Sequence, residues 1–186
     1  MIQGIRLNIP PEITTDRLLL RAPGVGDGAT IIDAMRASLP ELKPWLHWAK
    51  DDYGVADAED WCRRAAASFI TGEEATYIVF HSETIVPIAT LSSWSKGWDV
   101  PKFEIGYWLA TSHTGHGYMT EAVVALTKMT FEAMTARRIE IRTDEKNSRS
   151  RRVAERSGYL LEGIMKNDCR DVTGALRDTC VYAVTR

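Results

Sequence analysis

An α/β fold built on a mixed, mainly antiparallel sheet is predicted for this 186-residue chain from three observations. Phe103, Ile105, Tyr107 and Leu109 alternate with Glu104, Gly106 and Trp108, the period of two that a pleated strand imposes. Directly downstream, Met119, Ala122, Val123, Leu126 and Ala133 recur at helical spacing and form one apolar stripe. Between them lies a glycine-relieved turn, Thr114-Gly115-His116-Gly117-Tyr118-Met119-Thr120-Glu121. The length suits a single domain, 1–186, able to bury about 70% of its unfolded surface around one core.

Taken in order, residues 17–21 read as a strand. Pro23-Gly24-Val25-Gly26-Asp27-Gly28 is a turn leading into a helix through Ile31, Ile32 and Met35, and its glycines serve as turn and cap without assigned chemistry. Residues 41–48 and 56–71 read as helices divided by the acidic Asp51-Asp52 loop, and 75–81 and 85–93 as paired strands. Strand 103–109, helix 118–134 and strand 138–143 follow. A capped helix over 147–157 ends at Gly158, and closing strands near 160–167 and 177–185 complete the order, with no repeat or long linker.

Composition excludes several classes. A net charge of −2 argues against a general nucleic-acid binder, which carries a marked basic excess. Met1-Ile2-Gln3-Gly4-Ile5-Arg6 lacks the apolar core of a secretion signal, and no run of about 18 apolar residues spans a bilayer, so a cytoplasmic location is expected. Cys62, Cys169 and Cys180 are odd in number and lack Cys-x-x-Cys spacing, which predicts reduced thiols. His113 and His116 have no third ligand at helical spacing, and no metal site is assigned.

The turn at 114–121 carries the chemistry. A helix start presents unpaired N–H groups and a partial positive charge, so a strand, a Gly-x-Gly turn and a helix in succession suit a phosphate or pyrophosphate. Thr120 stands where a dinucleotide fingerprint needs a small residue, and no Gly-Lys-Ser/Thr triplet supplies the lysine of a nucleotide-hydrolysing loop.

Further motifs extend this reading: the Glu104-Ile105-Gly106-Tyr107-Trp108-Leu109 strand, Gly115-x-Gly117 with Glu121-Ala122, Asn147-x-x-Ser150 with Ser157-Gly158-Tyr159, Leu161-Glu162-Gly163, and Arg177-Asp178 with Val181-Tyr182. In these the chain resembles the GNAT superfamily of acyl-CoA-dependent N-acetyltransferases over nearly its whole length. Thr15-Asp16-Arg17-Leu18-Leu19-Leu20-Arg21 and Pro44-Trp45-Leu46-His47-Trp48 look like the opening signatures of the branch that acetylates ribosomal-protein N-termini.

The resemblance implies a GNAT-type fold with helices on both sheet faces, acetyl-CoA as co-substrate, and a homodimer. It places the pantetheine between strands 103–109 and 138–143, splayed at a bulge, against the backbone of Trp108, Leu109 and Ala110. The pyrophosphate is expected on amides of Thr114, Gly115, His116, Gly117, Tyr118, Met119 and Thr120. The family often has Gln or Arg in place of Thr114, and Gly or Ala in place of Met119. Asn147 is expected to bond the pantetheine amide and Ser150 to act as proton donor. Glu104 is the candidate base through a water, with Asp168 second, because Cys169 falls where the ribosomal branch places a glutamate. Trp45, Trp48 and Trp61 come from the helices that wall the family's acceptor site. Arg149, Arg151, Arg152 and Arg156 are a solvated helix face or neutralise the cofactor's ribose phosphate.

An α-amino group titrates near 7.7 to 8.0, whereas a lysine near 10.4 needs roughly 4 kcal/mol more to be neutral at pH 7.5. A protein or peptide N-terminus is therefore the favoured acceptor. A small-molecule amine is the alternative acceptor, and a non-catalytic CoA-binding module the alternative function.

Overall fold

The computed structural model of the chain describes residues 8–84 and 87–186. The N-terminal stretch read above for a secretion signal, and residues 85 and 86 of the expected second paired strand, lie outside them. Among the described residues, eight strands form one sheet in the order β1-β2-β3-β4-β5-β6-β8-β7. The strands are β1 (Glu12–Thr14), β2 (Leu18–Arg21), β3 (Glu74–His81), β4 (Pro87–Gly97), β5 (Lys102–Leu109), β6 (Arg138–Asp144), β7 (Leu160–Arg170) and β8 (Leu176–Thr185). Every pairing is antiparallel except β5 with β6, which is the mixed sheet expected from sequence.

Side-chain alternation divides the core between the two faces. From β3, Ala75, Tyr77 and Val79 join a cluster with Met119, Ala122, Val123 and Leu126 of α4 (Tyr118–Ala133) and Ala154 of α5 (Ser148–Arg156). Ile78 and Phe80 point the other way, toward Ile31, Ile32 and Met35 of α1 (Asp27–Arg36), Leu39 and Leu42 of α2 (Leu39–Leu42), and Ala58 and Cys62 of α3 (Val55–Thr71). β5 follows the same rule, with Phe103 and Ile105 on the α4 side and Trp108 on the α1–α3 side. Apolar burial on both faces is what a central strand of such a layered sheet requires.

Two expectations change. The helix expected over 41–48 is a four-residue helix, Leu39–Leu42, followed by turns. Pro44 has no N–H to continue the ladder, and its ring would meet the carbonyl one turn back, so the helix stops at Lys43. The three-residue strand β1 was not foreseen; it is short and exists only by pairing with β2, through Glu12 opposite Arg21.

The Gly24-Val25-Gly26 turn holds its own anion. Gly26 adopts a left-handed conformation, φ 97°, at the start of α1. The amides of Gly26 and Gly28 donate to the Glu59 carboxylate at 2.9 and 3.1 Å, and the Gly26 bond holds that carboxyl below the ordinary glutamate range. The helix start is thereby closed by a side chain of α3. Gly28 is needed for that approach, because a Cβ there would lie 2.4 Å from the Glu59 backbone nitrogen. Gly28→Ala should destabilise the protein by about 1–3 kcal/mol through overpacking of α1 on α3, read as a lowered urea midpoint with unchanged slope.

Candidate active site

The site begins where two parallel strands part. β5 and β6 are in register from Lys102 opposite Arg138 to Glu104 opposite Glu140, and beyond that point they no longer pair. β6 continues to pair with β8 through Asp144, and β5 with β4 through Leu109. The strands therefore splay, as expected, but the register of β5 on β4 is unbroken from Phe103 to Leu109, so no bulge in that stretch causes the parting. The first turns of α4 and α5 border the wedge instead, with residues 117–120 and 147–150 lining it.

A cavity of about 870 Å³ occupies the wedge. It reaches both sides of the sheet, touching Trp45, Trp94 and Trp108 on one and Tyr107, Met119 and Val153 on the other. The Ala110 amide donates to the Ile88 carbonyl of β4 at 2.7 Å, so it is not available to a ligand on the β6 side. By strand alternation the same orientation recurs at Trp108, and Tyr107 and Leu109 turn their N–H and C=O groups to the open edge. Of the expected backbone contacts at Trp108, Leu109 and Ala110, Leu109 is the one this geometry supports.

The glycine loop starts one residue later than expected. Thr114 directs both its amide and its hydroxyl to the Thr111 carbonyl, at 3.2 and 2.9 Å, closing a 3-10 turn over Thr111–His113. Among the described residues, the amides of Gly115, His116, Gly117, Tyr118, Met119 and Thr120 have no backbone acceptor. Gly115 and Gly117 hold φ of 86° and 81°, which a side chain would strain, and Gly115 and residues 117–120 line the cavity, whereas His116 does not. A pocket of this volume with such a nest fits an extended, phosphate-bearing ligand such as acetyl-CoA. The Met119 side chain is buried in the core, which leaves its amide as the group available to a ligand.

The loop is tied down from a distance. Glu121 accepts from the Thr15 hydroxyl at 2.6 Å and from Arg17 Nε at 2.7 Å, while Arg17 Nη1 donates to the His116 carbonyl at 3.0 Å. The Arg17 guanidinium also lies over the Tyr118 ring, 4.7 Å from its centroid, and the His116 ring stacks on the same tyrosine at 5.5 Å. His113 is held below the ordinary histidine range by burial and by the neighbouring His116 and His81. Arg17 and Glu121 each stand in a sequence motif, but their contact spans 104 residues and has no local signal.

Asn147 caps α5, its Oδ1 accepting the Ser150 amide at 3.1 Å. Ser150 faces the cavity, with its Oγ 3.1 Å from the Tyr107 hydroxyl. Both candidate bases are already paired: Glu104 with Lys96 at 3.0 Å, and Asp168 with Arg142 at 3.2 Å. Glu104 lines the main cavity, whereas Asp168 lies in an adjoining recess with Cys169 and Arg177.

The three tryptophans separate. Trp45 lines the cavity, but Trp48 packs against Trp108, with centroids 6.3 Å apart, and Trp61 packs on the same core cluster. Pro44 ends α2 early and leaves Trp45 on the turn beside the cavity, while Trp48 and Trp61 serve the core. A wall residue missed from sequence is Trp94. It stands opposite Glu104 in register, and its ring covers Gly106, where a Cβ would come within 2.8 Å. Arg149, Arg152 and Arg156 line the cavity from α5, whereas Arg151 turns away to the Tyr182 hydroxyl and the Glu145 carbonyl.

A split sheet with unpaired amides at the mouth of the split is the architecture of a protein suited to a long phosphorylated carrier. Residues 17–160 match the family described as an acetyltransferase (GNAT) domain, and the chain belongs to that family. It is 38% identical over 80 residues to the ribosomal-protein-serine acetyltransferase of Escherichia coli K12; that match covers 43% of this chain and 44% of that enzyme, less than half its length. YdaF of Bacillus subtilis 168, provisionally named a ribosomal N-acetyltransferase, is 28% identical over 166 residues, 86% of each chain. In fold, the chain is similar to the microcin C7 self-immunity acetyltransferase MccE in complex with acetyl-CoA and AMP, with a TM-score of 0.87 at 17% identity over 98% of this chain and all of that one.

Burial alone would raise the Glu121 carboxyl, but the bonds from Thr15 and Arg17 outweigh it and hold it below the ordinary glutamate range. A carboxylate lowered in this way stabilises the fold above its unfolded value of about 4.3, and that contribution is lost as pH falls through the lower folded value. Glu121→Gln should reduce stability at neutral pH and leave a shallower loss on acidification below about pH 4.3, read from denaturation midpoints across pH.

Proposed function

We propose that the chain transfers an acetyl group from acetyl-CoA to a primary amine, with the N-terminal α-amino group of a protein or peptide as the favoured acceptor. The observation that carries this reading is the unpaired edge of β5 beside the amide nest of residues 115–120, two backbone features that suit the pantetheine and the pyrophosphate of one ligand. Acetyl-CoA would supply an activated acyl carbonyl and a thiolate leaving group. Leu109 and Tyr107 would hold the pantetheine by main-chain bonds, and Asn147, whose Oδ1 is taken by the cap, has its amide N–H groups left to donate. Arg149, Arg152 and Arg156 would attract the outer phosphate.

The acceptor would approach from the α2 side, between Trp45 and Trp94. Glu104 and Asp168 are each already paired with a cation, Lys96 and Arg142, so neither can receive a proton from the acceptor without giving up that contact. An acceptor that is already partly neutral near pH 7.5 therefore suits this site, and the α-amino group is that acceptor. Kinship with ribosomal-protein acetyltransferases supports a ribosomal protein as substrate. The proposal includes one domain over 1–186, a cytoplasmic location and a homodimer; the first draws on the continuous sheet, the others on the family resemblance. Among the described residues no helix is long and apolar enough to cross a membrane.

Thiol release from acetyl-CoA, followed with a panel of peptides and amines, should show turnover with free peptide N-termini and little with N-blocked, lysine-bearing peptides. Turnover confined to small amines would move the acceptor to that class, and tight CoA binding with no turnover on any acceptor would make the chain a binding module. Ser150→Ala should lower kcat about 10- to 100-fold, the worth of one hydrogen bond to a developing charge, while CoA affinity at about pH 7 stays within about threefold.

A further inference from the structure

Ser150 does not stand alone in the wedge. The Tyr107 hydroxyl lies 3.1 Å from Ser150 Oγ and 3.2 Å from the Ser150 carbonyl oxygen, and both residues line the cavity. A phenol has one proton and a serine hydroxyl has one, so the contact has two arrangements. If Tyr107 donates to the carbonyl, the serine hydroxyl satisfies the 3.1 Å contact by donating to the tyrosine oxygen, and its hydrogen points away from the cavity. If Tyr107 donates to Oγ, the serine hydrogen is released to point into the cavity. Burial pushes the Tyr107 phenol up to about 12, so it remains a neutral donor throughout the range in which an amine is acetylated. The serine itself is fixed by the first turn of α5, where Asn147 holds its amide.

We propose that Tyr107 is a positioning residue that turns the Ser150 hydroxyl toward the sulfur of a CoA thioester lying between β5 and β6, so that the hydroxyl donates a hydrogen bond to the thiolate as it leaves. This rests on the acyl-transfer reading above. No proton transfer is required of the pair. A thiol ordinarily titrates near 8.5, far below a serine hydroxyl, so the serine stabilises the charge on sulfur and keeps its own proton. Negative charge on the sulfur selects the second arrangement, because only that one offers it a donor.

The test is Tyr107→Phe, which keeps the ring and removes the hydroxyl, beside Ser150→Ala and the double variant. Calorimetry with CoA and with desulfo-CoA, from pH about 6 to about 9, isolates the thiol. If the bound thiolate is stabilised, the bound thiol titrates below the free value of about 8.5. The affinity of CoA relative to desulfo-CoA then rises with pH between the two values and levels off above the free one. The wild-type ratio should rise about tenfold, equivalent to one unit of pKa, and should stay within about twofold in all three variants. In turnover, Tyr107→Phe should lower kcat about tenfold with KM for acetyl-CoA within about twofold, and the double variant should be no slower than Ser150→Ala. A Tyr107→Phe protein that keeps the wild-type pH-dependent ratio, or losses that multiply in the double variant, would overturn the positioning role. A flat wild-type ratio with both ligands bound would sink that role alone. If neither ligand binds the wild-type protein, the acyl-transfer reading falls and this proposal with it.

Discussion

The parting of β5 from β6 is the constraint on which the rest of the structure depends. A strand edge in the middle of a sheet exposes N–H and C=O groups that must find partners, and here those of β5 beyond Glu104 face a cavity in place of a neighbouring strand. β6 is held away by its seven-residue pairing with β8, and β5 by its continuous register on β4. The starts of α4 and α5 converge on the gap, so unpaired donors meet there from a strand edge and a helix terminus. An extended ligand with amides along its length and phosphates at one end is complementary to both.

That opening is maintained by contacts remote from it. The Thr15 and Arg17 bonds to Glu121 anchor the first turn of α4 to the loop between β1 and β2. Arg17 also donates to the His116 carbonyl, which braces the glycine loop itself. On the opposite flank, the Thr111 amide donates to Ser38 Oγ at 2.9 Å and the Thr111 hydroxyl to Glu41, which joins the end of β5 to the α2 segment. The two walls of the cavity are thus positioned by the same short stretch of chain that shapes the anion cradle. The second glycine-rich turn, before α1, has the same local ingredients but is closed by Glu59, which is why it is structural.

Chemistry in the wedge is set by partners more than by isolated residue types. Glu104 pairs with Lys96 and Asp168 with Arg142, and the Ser150 hydroxyl is hydrogen-bonded with that of Tyr107. The cavity is flanked by two tryptophans from separate elements, Trp45 on the turn after α2 and Trp94 on β4.

The sequence by itself determined what is local. Period-two alternation located β5, helical spacing located α4, and Gly115-x-Gly117 located the left-handed turn at the start of α4, because backbone conformation and apolar patterning are properties of neighbouring residues. Asn147 as the cap of α5 was legible for the same reason. Tertiary structure alone decided that the Thr114 and Ala110 amides are taken by Thr111 and Ile88, that Trp48 and Trp61 belong to the core, that Trp94 lies over Gly106, and that Arg17 grips Glu121 across 104 residues. Each of these depends on strand register or on contacts between distant segments. A one-dimensional pattern specifies which face a residue takes but not which distant partner will stand opposite it.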